Sequence, residues 1–456
     1  MVAGLAHTQS KTHEVCVALP LLKGMSSKLE FTGKKIPSFD PLSKANTLSS
    51  QILKDSFFLE AKFHNIRLYL WDSVLFRSTE QIYENPDEHY RFAMYSFAVF
   101  HLGLTLKVDL VHAHDWHTAL VNVLNSFSSF PKKNLLTIHN LAYQGEHPYE
   151  MCGFLREEPF FLNIDFFLHK SKVNYLKAGL TYANFISTVS PSYRNEILNE
   201  PEGQSLSGVL WNRRLQFFGI LNGIDSEEWN PSTDDKIFQT YNLKTIKKGK
   251  EKNKAELYKL IARKIDTKRP LVGVIGRLTH QKGYETFVSY LGKNANPDFF
   301  YVVLGAGDAH LEKSFFYYSD VLQDRVYFYK GYSEELAHKI TAASDFFLMP
   351  SLFEPCGLNQ MYSQTYGTIP IVSRVGGLRD TVEESNLEEY YTGIVFEPGD
   401  LGSMDYAMGR AKTLFEDGKK FTKARSNIMK LEYSWDKRVS EYETLYKNIL
   451  EGQKFI

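Results

Sequence analysis

Short apolar runs rich in Val, Ile and Leu recur along the chain, each followed by a loop carrying Gly, Asn, Asp or His and then by an amphipathic segment. That order predicts parallel strands joined by helices, because a strand buried on both faces reads as an unbroken apolar run while its crossover helix shows one apolar stripe. In the first half the runs are Glu14–Leu19, Ile66–Trp71, Leu110–Ala113, Leu135–Ile138, Phe185–Val189 and Phe218–Leu221. In the second half they are Leu271–Ile275, Phe300–Leu304, Val326–Tyr329, Phe346–Met349, Pro370–Val372 and Gly393–Phe396. Between the two sets, Ser232 to Lys268 is polar and holds Lys247, Lys248, Lys250, Lys252 and Lys254, a charge run that predicts a solvated surface at the start of a second domain. The expected class is α/β, two Rossmann-like doubly wound domains whose ligand faces the carboxyl ends of the strands in a central cleft. A fold of this kind opens on a buried strand leading into a Gly loop, whereas here the loop-like Val2–Ala3–Gly4–Leu5 comes first, so that strand is expected to be missing.

Length agrees with more than one domain, since 456 residues exceed what a single core supports. Lys plus Arg equals Asp plus Glu, 53 each, so there is no global field to hold nucleic acid or an anionic membrane. An anionic ligand must be held by local charge. Cys16, Cys152 and Cys356 are widely spaced and form no C-x-x-C pair, which supports neither a disulfide framework nor a zinc site and fits a reducing compartment. No window reads as a membrane span or a secretory leader, so a soluble cytoplasmic protein is expected. The aromatic share of 14% suits a large aromatic core more than sugar-stacking faces.

Chemistry concentrates at the ends of the runs. Val108–Asp109–Leu110–Val111–His112–Ala113–His114–Asp115–Trp116–His117–Thr118 carries a strand end into a loop. The histidine spacing is not that of a helical H-E-x-x-H zinc site, and alone the run reads as histidines satisfying hydrogen bonds in a turn. His139, Asn140, Tyr143, Gln144 and Gly145 follow the next strand as a hydrogen-bonding rim suited to hydroxyl-rich ligands. Arg277, with Lys282 and Gly283 at a helix start, makes a local anion site suited to a diphosphate, or equally a surface pair in water. Leu304–Gly305–Ala306–Gly307–Asp308 is an incomplete dinucleotide fingerprint and reads as a tight turn. In Ser344–Gln360 a buried strand delivers Glu354 to its carboxyl end, and Pro355 and Gly357 begin a helix whose free amides favour anions. Val375–Thr381 gives a second amide-lined turn, and Cys356, without a base partner, reads as a packed thiol.

Together these segments resemble the glycogen and starch synthase family of GT-B retaining glucosyltransferases over nearly the whole chain. The motifs are V-H-A-H-D-W-H-T, T-I-H-N-L-A-Y-Q-G, N-Y-L-K-A-G-L-T-Y-A, T-V-S-P-S-Y, G-I-L-N-G-I-D, G-R-L-T-H-Q-K-G, P-S-L-F-E-P-C-G-L-N-Q and V-G-G-L-R-D-T-V. The resemblance implies catalytic roles for His114 beside the donor glucose, Arg277 and Lys282 on the departing diphosphate, and Glu354 on the glucose 3- and 4-hydroxyls. It places Asn222, Gly357, Leu358, Asn359, Gly376, Gly377 and Thr381 around the donor and Tyr332 on the nucleobase. His139, Asn140, Tyr143 and Gln144 fall where the family shapes the cleft for sugar and acceptor.

The implied reaction moves glucose from a nucleotide sugar, by resemblance ADP-glucose, to the 4-hydroxyl at the non-reducing end of an α-1,4-glucan with retention and without a metal. The implied partners are that glucan and the nucleotide sugar, in cytoplasm or, for a photosynthetic eukaryote, a plastid. The domains expected are 1–230, 231–434, and a final helix over 435–456 that returns to the first. One departure stands out: the family opens with a strand and K-x-G-G-L-x-D, where this chain reads Met1–Val2–Ala3–Gly4–Leu5–Ala6–His7. A shortened sequence and a degenerate protein both explain it. The rival function is a catalytically impaired glucan- or nucleotide-binding homologue that regulates an active partner.

Overall fold

The computed structural model describes residues 1–25, 29–38, 48–79, 82–83, 86–129, 131–156, 158, 161, 163–293, 297–385 and 391–452. Internal contacts divide the chain into two units: Met1–Val189 with Arg194–Ile220 and Arg438–Ile456, and Ser190–Tyr193 with Leu221–Lys437. The second unit thus begins ahead of residue 231 and takes in a short piece at 190–193.

In the first unit β1 (Cys16–Pro20), β2 (Glu30–Pro37), β3 (Phe57–Phe63) and β4 (Ile66–Asp72) form a mixed sheet ordered β1-β4-β3-β2. β5 (Leu110–His114), β6 (Lys133–Ile138), β10 (Phe185–Thr188) and β11 (Phe217–Gly219) form a parallel sheet ordered β11-β10-β6-β5. A small antiparallel sheet joins β7 (Glu146–Pro148), β8 (Leu168–His169) and β9 (Lys172–Asn174). The expected runs are strands, but Glu14–Leu19 and Ile66–Trp71 sit apart from the parallel set, in a sheet with two antiparallel strands that the pattern did not predict. The β3–β4 hairpin turns through His64 and Asn65 between the paired Phe63 and Ile66, with His64 at φ 51°. It therefore lacks the Asn-Gly or Asp-Gly pair that marks such turns in sequence.

Val2–Gln9 is a helix, not the loop expected there. Ala3, Leu5 and Ala6 are good helix formers that outweigh the single Gly4, and Ala6 buries against Ala61, Ile66, Leu68 and Leu70.

The second unit carries one parallel sheet of β12 (Leu271–Ile275), β13 (Phe300–Gly305), β14 (Val326–Lys330), β15 (Phe346–Met349), β16 (Ile369–Ser373) and β17 (Ile394–Phe396). Its order is β14-β13-β12-β15-β16-β17, so the connections run outward one way from β12 and then reverse at β15. In open α/β sheets that reversal point is where ligands bind, because the loops leaving the two strands part there. The unbroken apolar runs follow from burial on both faces. Val272, Val274, Tyr301, Val303, Phe346 and Leu348 enter one core. Leu271, Phe300, Val302 and Leu304 enter a second on the opposite face. Each such side chain contributes about 1.5–3 kcal/mol on burial.

The Lys-rich stretch corrects an expectation. It contains the helix Ile246–Leu260, and Lys250 and Lys254, four residues apart on one face, are only 2% and 4% exposed. Lys254 pairs with buried Asp345 at 2.7 Å, and Lys250 Nζ donates to the Tyr366 carbonyl at 3.0 Å. Lys247, Lys248 and Lys252 stay on the wet face.

Candidate functional site

In the first unit the site grows from the paired ends of β5 and β6. His112 and His114, two apart on β5, share a face with ring centroids 4.1 Å apart. The chain leaves His114 directly into the helix Asp115–Ser126, and the sharp turn places Asp115 at φ 57°, a left-handed conformation that a non-glycine residue holds at a cost. From there Asp115 Oδ1 accepts the His139 backbone N–H at 2.7 Å, and His139 Nε2 lies 3.1 Å from His114 Nδ1. His112 is held between the Tyr446 hydroxyl at 2.7 Å and Thr137 Oγ1 at 2.6 Å.

Burial dominates the electrostatics of this cluster. Desolvation, then the neighbouring imidazoles of His112 and His139, holds His114 well below the ordinary histidine value. Desolvation brings His112 down to about 3 and His117 to about 4. His139 is lowered by burial against the opposing pull of Asp115, whose own carboxyl burial pushes up. At neutral pH these are uncharged hydrogen-bonding imidazoles, suited to contacting a sugar hydroxyl.

The turn after β6 carries the other rim residues. Asn140 Oδ1 accepts the Ala142 N–H at 3.1 Å, and Tyr143 is 53% exposed. Gln144 is committed to the chain at both ends of its amide, donating to the Gln204 carbonyl at 3.0 Å and accepting from Asn174 at 2.7 Å. A Cβ on Gly145 would lie 2.4 Å from Trp116, so only glycine lets this turn close over the indole.

In the second unit the loops after β12 and β15 interlock at the reversal point. Leu352 N–H donates to the Gln281 carbonyl at 2.9 Å, and Asn359 Nδ2 donates to the Ile275 carbonyl at 3.0 Å. Gly283 sits at φ 62°, where a Cβ would lie 1.9 Å from the Pro350 carbonyl oxygen. This packing brings Lys282 Nζ to 2.6 Å from Glu354 Oε2, which also accepts the Ser351 hydroxyl at 3.0 Å. Glu354 is buried, and its Oε1 has no hydrogen bond among the described residues. Arg277 is exposed and makes no ion pair among the described residues.

The helices Asn359–Thr365 and Gly376–Thr381 start without side-chain caps, and Gly357 and Leu358, both half-buried, precede the first of them. Gly377 N–H is bonded to the Glu354 carbonyl at 3.0 Å, and Thr381 Oγ1 donates to the Gly377 carbonyl and accepts from Gln360 at 3.1 Å. These two residues support the Glu354 loop from behind, with Gly376 beside them. Asn222 is 7% exposed and its buried Oδ1 has no hydrogen-bond partner among the described residues, an acceptor placed for a donor from outside the chain. Tyr332, 83% exposed, stands just before the N-cap of the helix Glu334–Ala343. Leu304–Asp308 is a tight turn packed on this loop, with Leu278 N–H donating to the Ala306 carbonyl at 2.9 Å and Asp308 capping the next helix.

Reading the sequence missed Ser351, His112 and Asp115 as supports of the site. Ser351 stands three residues before Glu354 in the same motif, and Asp115 directly follows His114, so spacing carried a signal for both. His112 needed the fold, because its partner Tyr446 is 334 residues away.

The family described as "Starch synthase catalytic domain" matches residues 1–212, and "Glycosyl transferases group 1" matches residues 259–428. Glycogen synthase of Leptospira biflexa serovar Patoc is 51% identical over 99% of this chain and 95% of its own length. Glycogen synthase of Cellvibrio japonicus is 40% identical over 80% and 77%. Among solved structures, the catalytic domain of starch synthase IV from Arabidopsis thaliana bound to ADP and acarbose superposes with a TM-score of 0.87 at 29% identity, covering 99% of this chain and 95% of that one. Sucrose-phosphate synthase from Thermosynechococcus elongatus, at 18% identity and a TM-score of 0.62 over 99% and 93%, shares the fold. The chain therefore belongs to the glycogen and starch synthase family of GT-B glucosyltransferases.

Proposed function

We propose that the chain transfers glucose from ADP-glucose to the 4-hydroxyl at the non-reducing end of an α-1,4-glucan, with retention of the α configuration and without a metal. The observation that carries this reading is the buried Glu354 carboxylate, with Oε2 held by Lys282 and Ser351 and Oε1 open to accept from sugar hydroxyls. Arg277 and Lys282 supply two positive charges where the diphosphate leaves, which lowers the barrier by stabilising charge as it develops. The uncapped start of Asn359–Thr365 adds backbone donors for phosphate, with Gly376, Gly377 and Thr381 lying around the donor behind the Glu354 loop. His114, held neutral, donates or accepts at the glucose 6-hydroxyl, Asn222 Oδ1 accepts near the sugar, and exposed Tyr332 stacks on the base. His139, Asn140, Tyr143 and Gln144 shape the sugar and acceptor side.

The choice of adenine is supported by the starch synthase relative that was bound to ADP. The cytoplasmic reading is supported by Cys16, Cys152 and Cys356, which form no disulfide with one another. No helix among the described residues is long and apolar enough to cross a membrane. Incubation with labelled ADP-glucose or UDP-glucose, a glycogen primer and a chelator tests the proposal. Faster incorporation from ADP-glucose into α-1,4 linkages, seen by NMR of the product, is expected. Faster incorporation from UDP-glucose would overturn the donor assignment, and none from either donor would overturn the activity.

A further inference from the structure

A second cluster lies in the second unit and shares no residue with the Lys282–Glu354 site. His338 sits one turn into the helix Glu334–Ala343, on the same face as Glu334 at its first position. Its ring is fully buried and stacked on Trp229 with centroids 3.7 Å apart, so its orientation is fixed. Asp234 Oδ2 lies 2.8 Å from His338 Nδ1 and also accepts the Tyr366 hydroxyl at 2.5 Å. A carboxylate only accepts, so Nδ1 donates to Asp234 and Nε2 is the ring nitrogen left to offer a lone pair to a ligand. Nε2 is buried with no hydrogen-bond partner among the described residues, a position costly for a polar atom. One ligand-capable atom from each of Glu228, Glu334 and His338 lies within 4.8 Å of the others. With Nδ1 engaged, Nε2 is the histidine atom left to bind.

We infer that Glu228, Glu334 and His338 form a binding site for a divalent transition-metal cation. An oriented imidazole backed by a carboxylate is the arrangement that fixes the tautomer and ring position of a metal-bound histidine. One nitrogen and two carboxylate oxygens suit zinc better than calcium or magnesium, which take oxygen ligands. Metal–ligand distances of about 2.0–2.2 Å require the donors to draw together, which the exposed carboxylates of Glu228 and Glu334 can do while His338 stays put. Lys236 now bridges them, with Nζ 2.9 Å from Glu228 Oε1 and also bonded to Glu334, so its ammonium stands in for the cation and competes with it. Tyr332 lies two residues before Glu334, so a bound ion would pin the start of that helix and the segment carrying the tyrosine.

The test is a zinc titration of the full chain after chelator treatment, by calorimetry. Because His338 is buried, the variants are the exposed Glu228→Gln, Glu334→Gln and Lys236→Met, each checked for unchanged far-UV circular dichroism. Saturable binding that weakens roughly tenfold or more in each glutamine variant, and tightens in Lys236→Met, is expected. Cobalt should quench the fluorescence of Trp229, with the quenching lost in Trp229→Phe. Zinc binding unchanged in both glutamine variants, or no saturable binding by Lys236→Met, overturns the site.

Discussion

Gly377→Ala probes the joint that holds the Glu354 loop. A Cβ at residue 377 would lie 2.1 Å from the Cys356 carbonyl oxygen and 2.4 Å from its Cα, both rigid backbone atoms two residues beyond Glu354. Opening the shorter contact to about 3 Å moves the loop by roughly 1 Å, the scale at which misplaced catalytic groups lose about a hundredfold in rate. The same movement stretches the Gly377 N–H bond to the Glu354 carbonyl, now 3.0 Å. Expected are a kcat/KM for glucose transfer lower by about 10², equivalent to about 2.7 kcal/mol, and a stability loss of about 1–3 kcal/mol from overpacking. Gly409→Ala is the control. Gly409 lies in the helix Leu401–Glu416 with nothing within 4 Å of its added Cβ, so alanine there should stabilise by about 0.5–1 kcal/mol with activity unchanged. Labelled-glucose incorporation and urea unfolding measure both variants. Activity within about threefold of the parent with an unchanged unfolding midpoint for Gly377→Ala would refute the steric argument, since the contact is too short to be absorbed without movement.

Three further outcomes are expected. Lys282→Met removes the cation 2.6 Å from a buried carboxylate and should cost up to about 3 kcal/mol by urea unfolding, whereas Lys282→Met with Glu354→Gln should regain stability but not activity. Arg277→Ala touches an exposed side chain without an ion pair among the described residues, so stability should hold within about 0.5 kcal/mol while kcat/KM falls by about 10²–10³; a matched loss of both would place Arg277 in the fold. Burial lowers His112 to about 3 and His117 to about 4, against about 6.5 when unfolded. The unfolded chain therefore takes up these protons first, and stability is retained above pH 6.5 and falls as pH drops toward 4. Each histidine should remove about 1.4 kcal/mol by one unit below 6.5, seen as a falling Tm between pH 7 and 5, and a flat profile would refute their neutral burial.

Much of this architecture was legible because the governing signals are local. Leu271–Ile275 and Phe346–Met349 read as strands since both of their faces are apolar, and the loops after them could be picked out by Arg277, Lys282 and Glu354 at the carboxyl ends. The mixed sheet of the first unit was not legible, because β2 is exposed at nearly every position and the turn at His64–Asn65 carries no turn signature. Lys250 and Lys254 were misread for a related reason. A lysine's sequence neighbours do not reveal a buried acceptor such as Asp345, 91 residues from Lys254.

The sequence by itself determined the two classes of element, the chemical groups at their ends and the family to which the motifs point. These depend on periodicity and residue type within a few positions. Tertiary structure alone decided that Lys282 meets Glu354, that His114 meets His139, that Gly377 braces the Glu354 loop and that His338 meets Asp234. Each of these joins residues from different segments of the fold. Their distances are set by which strands pair and how closely their loops pack, and one-dimensional order does not encode that directly.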